Sequence, residues 1–459
     1  MSAQPASIAG HNVDRSTLPL LITLAVGVFA GALDLGVLAP ALPALGTAFR
    51  ASTADLSWIY TLYLFVNIIS ITVASKLADQ YGRRPVYIAC VAAFALGSLL
   101  AIGAPNFRIF LLARAIAAFG AGGIFPVATA AIGDVVTIQR RGSALGLIGA
   151  TWGLAAIIGP NFGGLVTHFL SWHWIFAMNV PLAIVVIALA LRYVPVNAPR
   201  VRGPLDVAGL CTLCIGIGSL MFGVTTGRYY LLLMTLAMAP AFYAAQRRAA
   251  APIFSPVLFR NTQLMRTYGL EMVIGLLEGA LFFIPAALIA ALRLSAASAG
   301  ALAGLGALVF VAVIPLSGRA LDSFGSRTVL AVGATFSTAG LAIFAFGLGS
   351  VWLATLGITV AGLGFGSLLG APTRYIVTNE APENMRATAI GLLSQCLIVG
   401  QIAGGSLAAG ILRSGGNVVS GFRSAYEIFA LFGILTMLMT AALRSSGQER
   451  ASATSRFAG

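Results

Sequence analysis

Three carboxylic acids and one arginine stand inside otherwise apolar stretches of this 459-residue chain: Asp34, Glu271, Glu278 and Arg114. An ionisable side chain in hydrocarbon costs roughly 3 kcal/mol or more unless it is paired or reaches water, so each is a candidate for carrying charge. Asp34 and Glu278 are 244 positions apart in matching text, Gly31-x-Leu33-Asp34 and Gly275-x-Leu277-Glu278. Glu271 precedes Glu278 by seven residues, which puts both on one helical stripe about 10 Å apart along the axis. A carboxylate that is alternately wetted and dried loads and releases a proton, and a nearby guanidinium biases the exchange. The four residues are therefore expected to couple transport to protons, with Asp34 and Glu278 both facing the cleft between two repeated halves. Similar depth allows an Asp34–Arg114 contact, whereas the repeat partner of Arg114 is the uncharged Ile358. The plainer alternatives are a Glu271 that pairs with Arg266 near one surface and an Arg114 that only holds its own half together.

The elements that position these residues follow from composition. Hydrophobic residues make up 59% and charged residues 9% of the chain, and mean hydropathy is +0.96. A soluble domain carries about a quarter charged residues. The apolar residues fall in runs of roughly 20, the length that crosses a bilayer core as a helix. The net charge of +14 does not point to nucleic acid, because the basic residues sit at the ends of apolar runs and so set membrane orientation.

Fourteen spans are predicted, near 18–42, 54–74, 85–104, 107–131, 143–168, 174–194, 205–225, 229–246, 266–292, 297–317, 328–348, 351–375, 387–412 and 424–443. Twenty of the 27 Lys and Arg residues then fall on one side and six on the other, with Arg114 in the membrane, which expects both termini in the cytoplasm. The division is a tail (1–17), a six-helix bundle (18–194), a linker with two inserted helices (195–265), a second six-helix bundle (266–443) and a tail (444–459). The sequence reads as an all-α integral membrane protein of plan six plus two plus six. Its first span carries no cleavage site and is expected to be retained as an anchor.

Other chemistries find little support. Cys90, Cys211, Cys214 and Cys396 lie in apolar runs, and Cys211-x-x-Cys214 has no His or further Cys beside it, so no metal and no cofactor are expected. The only lysine, Lys76, is not in a phosphate-binding loop, which argues against an ATP-driven pump. His11, His168 and His173 lie in the tail or an outer loop, so no nucleophile–base set and no enzyme are expected. The expected partners are a small-molecule substrate, protons and membrane lipid, with the chain acting as a monomer. A transport-dead sensor or scaffold is the remaining class.

A polar loop is repeated between spans. Ser75-Lys76-Leu77-Ala78-Asp79-Gln80-Tyr81-Gly82-Arg83-Arg84 returns 243 positions later as Gly318-Arg319-Ala320-Leu321-Asp322-Ser323-Phe324-Gly325-Ser326-Arg327. Asp79, Gly82, Arg83 and Arg84, with Asp322, Gly325 and Arg327, are expected to form a charged hinge that latches span ends in one conformation and releases them in another. The fifth span carries Gly149, Gly153, Gly159, Pro160, Gly163 and Gly164, a density of small residues suited to a helix that slides and bends. Trp58, Tyr63, Trp152, Phe282 and Phe283 are candidates for a substrate path, although packing or lipid contact is the commoner role for any one of them.

The hinge resembles the loop signature of the major facilitator superfamily. Arg114-x5-Gly120-x-Gly122-Gly123 resembles that family's span-four motif, and the Gly-Pro run of span five its antiporter motif. Leu33-Asp34 with Ala41-Leu42-Pro43, and Trp172-His173-Trp174-Ile175-Phe176-x2-Asn179-Val180-Pro181, resemble hallmarks of its fourteen-span drug:proton antiporters. The resemblance covers nearly the whole chain. It implies the major facilitator fold in an inner membrane and export of small amphipathic molecules in exchange for protons, with Asp34 and Arg114 in the proton path. Ser75, His173, Gly36 and Ala39 depart from the usual pattern and bear on the substrate more than on the fold. The alternative is a dedicated metabolite importer or exporter of the same fold.

Overall fold

The computed structural model describes residues 17–196, 206–226, 228, 230–250, 252–414 and 418–444. The expected tails, apart from Thr17 and Arg444, and positions 197–205 of the linker lie outside these. Every regular element among the described residues is helical.

Thr17–Gly36 (α1) and Leu38–Phe49 (α2) form one broken span. Thr53–Tyr81 (α3), Arg83–Ile102 (α4), Phe107–Val135 (α5) and Ile138–Phe169 (α6) follow, and His173–Ala177 (α7) with Asn179–Tyr193 (α8) ends the first half. Val207–Thr226 (α9) and Leu231–Arg248 (α10) are the inserted pair. Pro256–Arg260 (α11) leads into a second broken span, Thr262–Leu281 (α12) with Ile284–Leu292 (α13). Ala296–Phe324 (α14), Ser326–Phe346 (α15), Val351–Leu368 (α16), Pro372–Glu380 (α17), Arg386–Ser414 (α18) and Val418–Ala441 (α19) complete the second.

Twelve stretches of the described residues are long and apolar enough to cross a membrane, which corrects the expected fourteen. The inserted pair makes the difference. The apolar part of α9 counted over described residues is only Val207–Leu220, and α10 contains Pro240 and ends in Gln246-Arg247-Arg248. The pair still folds as two helices packed on each other, and Trp58 of α3 meets Phe222 of α9 at a ring separation of 5.4 Å.

The duplication is visible in backbone geometry. Gly82 (φ 95°, ψ 160°) and Gly325 (φ 81°, ψ 165°) adopt the same conformation, one essentially closed to residues with a Cβ, and each stands between two helices. Arg50 and Arg293, the non-glycine residues with positive φ among the described residues, are 243 apart and end α2 and α13 in the left-handed region. Each half's first span also breaks just past its acid: α1 stops two residues after Asp34, and α12 three residues after Glu278.

Helices α4 and α5 pack most extensively in the first half, α15 and α16 in the second. The halves meet through α6 on α14 and through α18 on α3 and α5. One hydrophobic core runs across that junction at the hinge end, joining Ala74, Ala78 and Ile148 to Leu321, Ile390 and Leu393. Away from the hinge each half keeps its own core, with Phe110, Trp172 and Phe176 in the first and Phe344, Tyr426 and Phe429 in the second.

Candidate functional site

A cavity of about 220 Å³ lies between the halves, walled by α1, α3, α5 and α6 on one side and α12, α14, α17 and α18 on the other. Its lining is mostly apolar, with Trp152, Phe125 and Phe310 among the aromatic groups and Asn67, Glu278, Arg374 and Gln401 among the polar ones. Small residues let α6 approach the second half closely enough to form this wall. A methyl group added at Gly149 would stand 3.2 Å from Ile314, and one at Gly153 2.8 Å from Val311.

Glu278 faces the cavity and accepts a 2.8 Å hydrogen bond from Gln401 Nε2. Asp34 does not, and the expected symmetry of the two acids is corrected here. It is 1% exposed and sealed inside the first half, where Arg114 Nη1 and Nη2 donate to its two oxygens at 3.0 and 2.8 Å. Asn179 of α8 donates to Asp34 Oδ1 at 3.2 Å and to Ser98 Oγ of α4 at 3.1 Å. The Tyr63 ring lies 4.7 Å from the Arg114 guanidinium carbon and also lines the cavity, so it forms the wall between the pair and the open space. Asn179 was quoted in the sequence without a role; its Asn-Val-Pro setting was the available signal.

Glu271 is 1% exposed, and neither carboxyl oxygen has a hydrogen-bond partner. The pairing with Arg266 is not formed, because Arg266 Nη1 donates to the Ala442 carbonyl at 2.5 Å. Arg374, one of the twenty basic residues expected on the cytoplasmic side, is also corrected. It lies in the bundle on α17, lines the cavity, donates to the carbonyls of Leu369 (2.7 Å) and Gly370 (2.5 Å), and stacks 4.9 Å over Phe125 of the first half. The expected span stops at 375, yet α17, begun by Pro372, carries it on to Glu380.

The hinge residues converge on the far helices. Asp79 accepts the backbone N–H groups of Ala387 (3.1 Å) and Thr388 (2.8 Å) and the Thr388 hydroxyl (2.6 Å), capping the start of α18. Asp322 binds α6 one turn in from its start, accepting from Gly142 N (2.9 Å), Ser143 N (3.0 Å) and the Ser143 hydroxyl. Each half therefore holds the start of a helix in the other. Arg83 joins Asp79 (2.5 Å) to Asp134 (3.0 Å), and Arg386 of the second half reaches Asp134 at 2.8 Å. Arg84 donates to the Leu191 carbonyl, within its own half, and Arg327 makes no hydrogen bond or ion pair to a described residue.

The remaining predicted positions divide. A methyl group added at Gly159 or Gly163 would run into Gly36 and Val37, where α1 breaks, while one at Gly164 would meet Pro40 at an ordinary 3.9 Å. The Pro160 side chain lies outside the described residues, and α6 runs unbroken past it. Tyr63 and Trp152 line the cavity. Trp58 packs on the inserted pair, Phe282 is 73% exposed, and Phe283 rests on the core of the second half.

Two repeated helical bundles enclosing a cavity with charged groups on its walls define a membrane transport protein. The chain belongs to the Major Facilitator Superfamily, whose sequence profile matches residues 24–292 and 267–458. It is therefore a multi-pass membrane transporter of small molecules and not an enzyme. It is 34% identical over 420 residues to an uncharacterized MFS-type transporter, YfiU, of Bacillus subtilis, covering 85% of this chain and 79% of that protein. It is 28% identical to a multidrug resistance protein B homolog of Mycobacterium tuberculosis (90% and 79% covered) and 27% identical to the multidrug transporter protein MdtP of B. subtilis (89% and 77%). Among solved structures, the human organic anion transporter MFSD10 matches with TM-score 0.70 at 16% identity (92% and 99% covered), and the proton:xylose symporter XylE with 0.67 at 13% (93% and 95%). At these identities the structures share the fold.

Proposed function

We propose that this chain is a proton-coupled exporter of small amphipathic compounds in the cytoplasmic membrane, working by alternating access within the drug:proton antiporter branch of its family. The observation that carries the reading is Glu278: a carboxylate lining a largely apolar cavity between the halves, held by Gln401 and flanked by aromatic walls. Such a surface suits a lipophilic molecule with a basic group, and the same carboxylate can hold a proton instead. The names of the relatives from M. tuberculosis and B. subtilis agree with an efflux role. Glu278 and Glu271 serve proton coupling, with Asp34 and Arg114 as the fixed polar core of the first half.

The reciprocal contacts of Asp79 and Asp322 hold the hinge side shut, so the cavity faces the opposite side. We assign the hinge side to the cytoplasm, with both termini there, and a monomer as the working unit. The chain divides into bundles 18–194 and 266–443 around an insert, 195–265, whose helix pair packs on α3 through α9 and exposes Ile215, Leu233, Met234 and Leu236. Arg374 on the cavity wall favours one second reading, a dedicated carrier of an anionic metabolite. The test is reconstitution of purified protein in proteoliposomes: a pH gradient should drive tetraphenylphosphonium across the membrane, and a carboxylate-bearing probe should not move. Substrate-driven proton movement that survives both Glu271→Gln and Glu278→Gln sinks the coupling role of these acids.

A further inference from the structure

We propose that Arg374 is a counter-charge that Glu278 and Glu271 use in turn, and that Glu271 holds a proton in the conformation seen here. This rests on the proton-coupled reading above and names the residues of the second half that would perform the coupling.

The two acids sit on α12 two turns apart, about 10 Å along the axis, with Glu271 nearer the hinge. Glu278 reaches the cavity, whereas both oxygens of Glu271 are sealed and unpartnered. The groups around Glu271 are Thr373 and Arg374 of α17, Glu278 of its own helix and Cys396 of α18; α11 and α19 bring it no charge. An ionised carboxylate in that position would lose its hydration with at most the Thr373 hydroxyl to replace it. A neutral acid avoids that loss. Glu271 therefore carries its proton here.

Arg374 is within electrostatic reach of both acids and pairs with neither, since Nη1 is spent on two carbonyls and the guanidinium face rests on Phe125. Phe125 belongs to the opposite half. When the halves re-pack about the hinge, the platform under Arg374 moves and the guanidinium is free to meet Glu271. The Glu271 O–H bond then breaks, its proton passes to water on the hinge side, and the carboxylate left behind pairs with Arg374. Glu278, no longer sharing that positive charge, is open to a cationic substrate. On the return movement the substrate leaves Glu278 for the cavity side, a proton enters from that side by way of Glu278 to Glu271, and Arg374 goes back to its carbonyls, so one proton crosses against one substrate.

Infrared spectroscopy of the purified full-length transporter at neutral pH tests the first part through the carbonyl stretch of a buried protonated carboxyl. The band should be present in wild type, Asp34→Asn and Glu278→Gln and absent in Glu271→Gln. Its survival in Glu271→Gln overturns the assignment. So does a Glu271→Gln protein that fails to fold, because an amide is a faithful substitute for a neutral acid and a poor one for a paired carboxylate. The second part is read in proteoliposomes with tetraphenylphosphonium. Arg374→Gln should slow proton-driven efflux about tenfold while gradient-free exchange stays near wild type, and Arg374→Lys should restore part of the coupling. Loss of both fluxes together, or of neither, overturns the role of Arg374. If wild type itself shows no proton-driven flux, the transport reading fails while the infrared result still decides where the proton is; if flux is coupled but the band survives Glu271→Gln, only this inference fails.

Discussion

Arg114 grips Asp34 through both terminal nitrogens, at 3.0 and 2.8 Å, in a site where Arg114 is 0% and Asp34 1% exposed. This fork neutralises both charges and bolts α1 to α5, and Asn179 and Ser98 extend it to α8 and α4. The second half has no equivalent closed pair: Glu278 faces open space, Glu271 is sealed without a partner, and Arg374 is uncommitted between them. The duplicated halves have divided the work, one supplying a fixed polar core and the other a set of charges free to change partners.

Removing one member of the fixed pair should cost far more than removing both. Arg114→Gln leaves the Asp34 carboxylate buried and uncompensated and should destabilise the protein by about 3–5 kcal/mol. Combining it with Asp34→Asn should recover at least half of that loss. Denaturant unfolding in detergent measures both. Equal destabilisation by the single and double variants would show that the two side chains are not energetically coupled.

The hinge gives a conformational prediction. Asp79→Asn and Asp322→Asn each remove a carboxylate from the start of a helix in the other half, at about 1 kcal/mol per contact. The hinge-open population should rise roughly fivefold for one variant and more for both, since about 1.4 kcal/mol is tenfold. Spin labels at Tyr81 and Phe324, 62% and 63% exposed at the ends of α3 and α14, would report the widening once the four native cysteines are replaced. An unchanged distance distribution in the double variant would contradict the latch.

Close approach of the halves can be tested at a single glycine. A methyl group at Gly318 would stand 2.7 Å from the Gly142 carbonyl oxygen and 3.1 Å from Gly146 Cα, both across the junction. Gly300, on the same helix, has nothing within 4 Å of the added atom. Gly318→Ala should push the hinge side open and lower the thermal midpoint, and Gly300→Ala should raise the midpoint slightly through its lower helix cost. The same pair of labels, with thermal unfolding, separates the two cases. Identical behaviour of the two variants would mean that α14 and α6 do not meet as described.

Much of the plan was readable in the chain because the duplication wrote it twice. The Asp79 and Asp322 loops stood out as polar text between apolar blocks, and only glycine could occupy the backbone found at Gly82 and Gly325. The contact of Asp34 with Arg114 followed from matched depth. Which way Asp34 points did not, because α1 is apolar on every side and its sequence marks no inward face. Arg374 was misplaced because the expected span stops one residue beyond it, at 375, whereas α17 carries the helix on to Glu380. The span count was overdrawn at α10, where Pro240 and a charged end dilute a segment that does fold as a helix.

Proton-driven flux in Glu278→Gln and Asp34→Asn, each reconstituted beside wild type, tests the role of the cavity carboxylate most directly. Tetraphenylphosphonium efflux under an imposed pH gradient, and gradient-free exchange with it, should fall to the level of protein-free liposomes in Glu278→Gln. Asp34→Asn should keep a larger share of the gradient-driven flux, in keeping with its sealed position. Gradient-driven efflux at the wild-type rate in Glu278→Gln would contradict the mechanism.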